Sequence, residues 1–194
     1  GVSTCTWSGA STPPTFADDA TNLDISANPD SDEIAFASIG DAGNDLQIGY
    51  WSGTAWTNTA NADTSCNGPV AGSRLVSTGW LISGATTRSI VRYADQGSSA
   101  IDWFTANAGT FTKETDFVIS PAPSGPTYYQ VEVDPLDKTQ LVSLISDSAN
   151  DLFAKRLVLS AGPTFTWTNS DAVVLTASLP QAINSPYSFA YWRQ

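Results

Sequence analysis

The chain contains no histidine and no methionine, only two cysteines, and eight lysines and arginines against nineteen aspartates and glutamates. Without histidine the commonest general base and the commonest transition-metal ligand are missing, so Ser–His–Asp and Cys–His nucleophilic sites are excluded. A net charge of −11 opposes phosphate backbones and anionic lipid, and nucleic acid is not an expected partner. No apolar run approaches the roughly 18 residues that span a bilayer, so membrane insertion is not expected either. P-loop, dinucleotide and G-x-S-x-G motifs are also absent. Glutamate is scarce: Glu33, Glu114 and Glu132 are the only three, whereas glycoside hydrolysis takes a pair of carboxyl groups across the bond. Glu132 alternates with Val131 and Val133 and is oriented for a central channel, but no partner is evident. Arg74, Arg88 and Arg92 crowd into one stretch of chain and read as surface charge. No enzyme is expected.

What is present points outside the cell. Cys5 and Cys66 lie in no metal-ligand spacing, so a disulfide is the natural reading, and it implies an oxidising compartment. If it is intramolecular, it closes a loop of about 60 residues and contributes roughly 4 kcal/mol before strain. The other reading is two unpaired buried thiols. Low charge, abundant Ser, Thr, Ala and Gly, and seven Trp fit a secreted or cell-surface β-protein. The opening "GVSTCTWSG" without a Met leads us to expect a mature form. With 194 residues, 41% of them hydrophobic, one all-β domain is expected.

The chain repeats itself. "GDAGNDL" at 40–46 returns as "SDSANDL" at 146–152, and "ADQGSSAI" at 94–101 lies midway, a period of about 53 residues. Each marker is followed by an alternating run, "LQIGYW" at 46–51, "AIDWFT" at 100–105 and "LFAKRLVL" at 152–159. Then comes a Gly-containing turn with a Thr/aromatic run, "SGTAWTNT" at 52–59, "NAGTFTKET" at 107–115 and "SAGPTFTWT" at 160–168. Before the markers stand "EIAFASI" at 33–39, "RSIVRYA" at 88–94 and "QLVSLIS" at 140–146, preceded by "LDISANP", "RLVSTGWLI" and "YQVEVDP". Period-2 patterning rich in β-branched and aromatic residues predicts strands, and the glycines supply positive φ to hairpin turns. The unit is four strands, A to D, with repeats over 17–72, 73–126 and 127–183.

A four-stranded antiparallel unit recurring at this period resembles a β-propeller blade over nearly the whole chain. The "SGTAW" and "SAGPTFTW" turns are similar to degenerate Asp-boxes of sialidase-type propellers, lacking their Asp. The resemblance implies an all-β propeller-like array of about three full blades plus an incomplete blade from the two ends. Residues 1–16 hold a lone D-type strand, since "TCTWS" at 4–8 matches "TFTWT" at 164–168, and 184–194 hold a lone A-type strand. Unpaired strand edges are normally capped or charged, but "YSFAYW" near the C-terminus is aromatic. Two readings follow. Both terminal strands enter one shared blade of the same molecule, or a terminal strand passes to the next copy by β-augmentation and builds a fibre.

These considerations favour a non-enzymatic extracellular structural protein that self-assembles as a homopolymer, in a filament or surface layer, by terminal strand exchange. Thr4, Thr6, Trp7, Tyr187, Phe189, Tyr191 and Trp192 are the assembly residues, with Cys5 and Cys66 as the staple. The alternative is a monomeric lectin-like propeller that recognises glycans with Trp and acidic loops, with Ca²⁺ as an optional ligand. Asp41, Asp45, Asp147 and Asp151 are the Ca²⁺ candidates, set against ordinary Asx-turn chemistry. Of the seven tryptophans, Trp7, Trp56 and Trp167 recur at related repeat positions, as blade-to-blade packing requires. Trp51, Trp80, Trp103 and Trp192 complete the pool for a stacking platform. No cofactor is expected.

Overall fold

The computed structural model describes residues 15–16, 18–68, 73–98, 100–119, 125–149, 151–160, 164–168 and 175–176. Among them no helix forms, and therefore none long and apolar enough to cross a membrane. The first sheet is β1 (Ala20–Ala27), β2 (Ile34–Gly40), β3 (Leu46–Trp51) and β4 (Trp56–Asp63). The second is β5 (Val76–Ser83), β6 (Thr86–Tyr93), β7 (Ala100–Asn107) and β8 (Thr110–Lys113), with β9 (Phe117–Val118) added beside β7. The third is β10 (Pro126–Val133), β11 (Gln140–Asp147), β12 (Asp151–Ser160) and β13 (Thr164–Trp167), with β14 (Leu175–Thr176) beside β12. All the pairings within the sheets are antiparallel. The fold is all-β and β-propeller-like, and each of the twelve strands expected from the repeat overlaps one observed strand.

The turns show why the chain folds back where it does. Asn107 pairs with Thr110 across a two-residue turn in which Ala108 and Gly109 both have positive φ, 47° and 80°, the conformation that matches the twist of a tight hairpin. Gly109 also sits against Thr57 of the first sheet, 2.9 Å from where a Cβ would lie, so a side chain there is excluded.

Successive side chains of a strand point to opposite faces. We call the side of each sheet turned towards the following sheet its front, and the opposite side its back. The front of the first sheet carries Asn22, Asp24, Ala35, Ala37, Ile48 and Tyr50, and it meets the back of the second at Thr78 and Trp80. Tyr50 and Trp80 pack with ring centroids 6.1 Å apart, and Trp80 Nε1 donates to the Ser26 carbonyl at 3.1 Å. The front of the second sheet (Ser77, Gly79, Arg92, Trp103) meets the back of the third (Tyr129, Val131, Ser143, Phe165, Trp167). Trp103 stands edge-on to Phe165 and Trp167, at 5.2 and 5.7 Å. Gly79 permits this approach, since a Cβ would come within 2.8 Å of Val131 Cγ1.

The inner strands join the sheets through a recurring contact. Asn22 Oδ1 accepts from the Leu75 N–H and Asp24 Oδ2 from the Thr78 N–H, both at 2.7 Å. One repeat later, Ser77 Oγ accepts from the Val131 N–H at 3.0 Å, while Arg74 and Tyr128 form a parallel bridge. Each inner strand therefore offers front side-chain acceptors to the backbone of the next inner strand. One continuous apolar core runs through all three sheets.

Of the arginines read from the sequence as surface charge, Arg92 is enclosed and Arg74 is half-buried. Arg92 has no exposure at all; it donates to Ser143 Oγ and lies over the rings of Tyr129 and Trp167, at 4.8 and 5.7 Å. Burial lowers its pKa to about 10. Arg74 pairs with Asp24 at 2.7 Å and faces the Tyr128 ring. Repeat position, with aromatic residues coming from the adjoining sheet, turns these cations into inter-sheet clamps.

Candidate binding face

Two sheet faces have no described sheet against them: the back of the first and the front of the third. On the front of the third, the register aligns Gln130 with Leu144 and Ala154, and Glu132 with Val142 and Arg156. Tyr128 OH reaches Gln130 Oε1 at 3.3 Å, and Gln130 Nε2 donates to Glu132 Oε1 at 2.7 Å. Arg156 Nη1 donates to Gln140 Oε1 at 3.2 Å. Beside Arg156 lies an open hollow of about 310 Å³ lined by Val142, Ala154, Lys155 and Arg156.

The hollow has a structural cause. In the second sheet the corresponding row reads Ser77, Arg92, Trp103; in the third it reads Gln130, Leu144, Ala154. Alanine stands where the second sheet has a tryptophan, and the volume of an indole is left open. An apolar floor of Val142 and Ala154 beside the Arg156 guanidinium suits a small polar ligand with an apolar face. A volume near the low end of the roughly 300–1,000 Å³ range for small-molecule sites admits one ring-sized ligand.

The chain matches no protein-family model and no curated protein. Among solved structures it is similar to a fungal lectin from Aleuria aurantia, a six-bladed β-propeller with a novel fucose recognition mode. That match has 13% identity and a TM-score of 0.49, over 81% of this chain and 47% of the lectin chain. It is also similar to a substituted form of that lectin in complex with Fucα1-6GlcNAc, at 15% identity and a TM-score of 0.45, over 81% and 48% of the two chains. This chain spans about half the length of these lectins.

The residues singled out from the sequence distribute unevenly. Thr4, Thr6, Trp7, Tyr187, Phe189, Tyr191 and Trp192 lie outside the described residues, as does Cys5. Cys66 is a free thiol buried in the core, so the expected disulfide is not among the described bonds; burial pushes the thiol pKa up. Of the Ca²⁺ candidates, the Asp147 carboxylate is engaged in its own turn. Asp147 Oδ1 accepts from the Ala149 and Asp151 N–H groups at 3.0 and 2.9 Å. The Asp45 carbonyl accepts from the Gly40 N–H at 3.0 Å, and the Asp41 N–H donates to the Asp19 carbonyl at 2.9 Å. Among the described residues no cluster of acidic, Cys or His side chains is arranged to hold a metal ion.

The tryptophans separate into two sets. Trp80 and Trp103 are buried between sheets, and Trp167 packs on Trp103 and Phe117. Trp51 and Trp56 are half-buried, paired across the β3–β4 hairpin with centroids 5.5 Å apart. Sequence reasoning missed the hollow because its decisive residue is an alanine; the available signal was the exchange of Trp103 for Ala154 in a matched row.

Proposed function

We propose that the protein is a non-enzymatic, lectin-like recognition module that binds a glycan on the front of its third sheet. The observation that carries this reading is the open hollow lined by Val142, Ala154, Lys155 and Arg156, in the row that also holds Glu132. A pyranose ring presents vicinal hydroxyls, each a donor and an acceptor, and an apolar C–H face. Glu132 accepts, Arg156 donates, and Val142 and Ala154 offer the apolar floor. Charge-assisted hydrogen bonds of this kind give orientation as well as affinity. The rows across the hollow contain one carboxylate, Glu132, and the chain has no histidine, which supports binding without cleavage. The Ser- and Thr-rich, weakly charged composition supports an extracellular setting.

Calorimetric titration of the full chain against a panel of neutral and acidic mono- and disaccharides tests the reading. Saturable binding to at least one sugar is expected, weakened at least tenfold by Glu132→Ala and by Arg156→Ala. A chain that binds nothing on the panel, or whose binding ignores both substitutions, sinks it.

A further inference from the structure

The edge of β7 carries two short strands in two registers. Along β8 the pairs run from Phe104–Lys113 to Asn107–Thr110, and the Glu114 N–H continues that ladder by donating to the Trp103 carbonyl at 3.1 Å. Along β9 they run Ala100–Val118 and Ile101–Phe117, one residue out of step. The chain therefore bulges at Thr115, and extending the β9 ladder by one pair sets Asp116 opposite Asp102. The 114–118 segment is a strap laid on the edge of β7. It carries Phe117, whose ring stacks on Trp167 at 5.8 Å and lies beneath the Lys155 ammonium at 5.3 Å.

Two of the strap's contacts join a donor to an acceptor. Thr105 Oγ1 donates to Glu114 Oε1 at 2.6 Å, and Trp103 Nε1 donates to the Thr115 carbonyl at 3.0 Å. The third sets one carboxyl group against another. Asp102 is 1% exposed while Asp116 is open to water; the two carboxyl groups are within hydrogen-bonding reach, and Ser98 also bonds Asp102. No described donor reaches Asp102 Oδ2. The surrounding charges do not neutralise the pair. Asp63 of β4 is itself an acid and engages Lys113 Nζ at 2.9 Å and the Tyr93 hydroxyl at 2.7 Å. Asp95, beyond β6, adds a further negative charge. The Cys66 thiol and the Tyr93 and Tyr129 hydroxyls are held neutral by burial. Arg92 of β6 attracts Asp102 only from across the sheet, where it donates to Ser143. Two ionised carboxylates set opposite each other, one of them buried, repel. One proton between them turns the repulsion into a charge-assisted hydrogen bond.

We propose that Asp102 and Asp116 share one proton, which Asp102 carries and donates to the Asp116 carboxylate, and that this proton latches the strap to β7. When it passes to solvent, the pair goes from one negative charge to two, and the strap lifts at Asp116 and takes Phe117 off Trp167. Burial and the neighbouring carboxylates raise the Asp102 pKa to about 6, so the latch holds below that pH and releases as the pH rises through it. Only two residues of β9 pair with β7, and so short a ladder opposes release weakly.

Nuclear magnetic resonance on the full chain from pH 3.5 to 8 tests the latch. The Asp102 carboxyl carbon, the Trp103 indole N–H and the amides of Glu114, Phe117 and Val118 are expected to titrate together, with one midpoint near 6. Corrected for intrinsic rates, those amides should exchange at least tenfold faster at pH 7.5 than at pH 5. Asp116→Asn, at an exposed position, supplies an uncharged amide that can donate to the Asp102 carboxylate. With an unchanged far-ultraviolet spectrum, it should remove the midpoint from Trp103 and the strap and make exchange equal at the two pH values. An Asp102 midpoint below about 4.5, an indole and strap that stay fixed while Asp102 titrates, or an unchanged midpoint in Asp116→Asn overturns the proposal.

Discussion

The back of the third sheet and the back of the first are built on one pattern and placed in opposite circumstances. Tyr129, Val131 and Val133 alternate along β10 as Leu23, Ile25 and Ala27 do along β1, and both stripes lie on the side of the preceding sheet. One stripe is buried by the second sheet. The other has no described sheet before it, and two large aliphatic side chains stand open to water. Burial of an apolar residue is therefore a property of the neighbour as much as of the residue, and contiguous exposed apolar surface marks a place where another surface belongs.

Substitutions at matched positions break this comparison most sharply. Tyr129→Ala removes a fully buried ring and the face under the Arg92 guanidinium, and it should cost about 3–5 kcal/mol in urea unfolding. The matched Leu23→Ala, at a side chain that is more than half exposed, should stay within about 0.5 kcal/mol. Equal losses at the two positions would contradict the assignment of buried and open backs.

A smaller effect comes from acidity on the buried side. Burial, reinforced by the nearby carboxylates of Asp116 and Asp95, pushes the Asp102 pKa up to about 6. The folded state then holds this proton more tightly than the unfolded chain, so stability rises as pH falls from about 6 to 4, by about 2–3 kcal/mol. Asp63 runs the other way. Although burial opposes it, hydrogen bonds from Tyr93, Lys113 and Ser65 hold its pKa down at about 2, so its contribution is present above about pH 4 and is lost as pH falls towards 2. Thermal melts should lose the gain between pH 6 and 4 in Asp102→Asn and keep it in Asp63→Asn. A flat wild-type profile over that interval would count against a buried Asp102.

Smaller again is the effect of crowding the mated interface. Gly79→Ala places a Cβ against Val131 and should destabilise by about 1–3 kcal/mol. Gly84→Ala, where no atom lies within 4 Å but φ is +59°, should lose only the cost of the turn, roughly 1 kcal/mol. Reversal of that order in chemical denaturation would show that backbone strain outweighs inter-sheet packing here.

The strands were legible because period-2 alternation and turn residues act locally. "LQIGYW" must present alternate faces whatever surrounds it, and the polar markers cannot enter a sheet interior without partners. The arginines were not legible. Arg92 sits in "RSIVRYA" like any outward cation, and only Tyr129 and Trp167, dozens of residues away, convert its place into a buried one. The candidate site was half legible. Glu132 stands out in the sequence as a charge between two valines, but the hollow depends on a small residue, and an alanine carries no chemical signal by itself.

From its sequence alone this protein was bound to be an all-β chain of one four-stranded motif written three times, because alternation, turn chemistry and repeat period are covalent properties of the strand. Which stripe is covered, which arginine is enclosed and where volume is missing were settled only when the sheets came together. Those outcomes depend on pairs of side chains far apart in the chain, and non-local packing leaves no mark on either member alone.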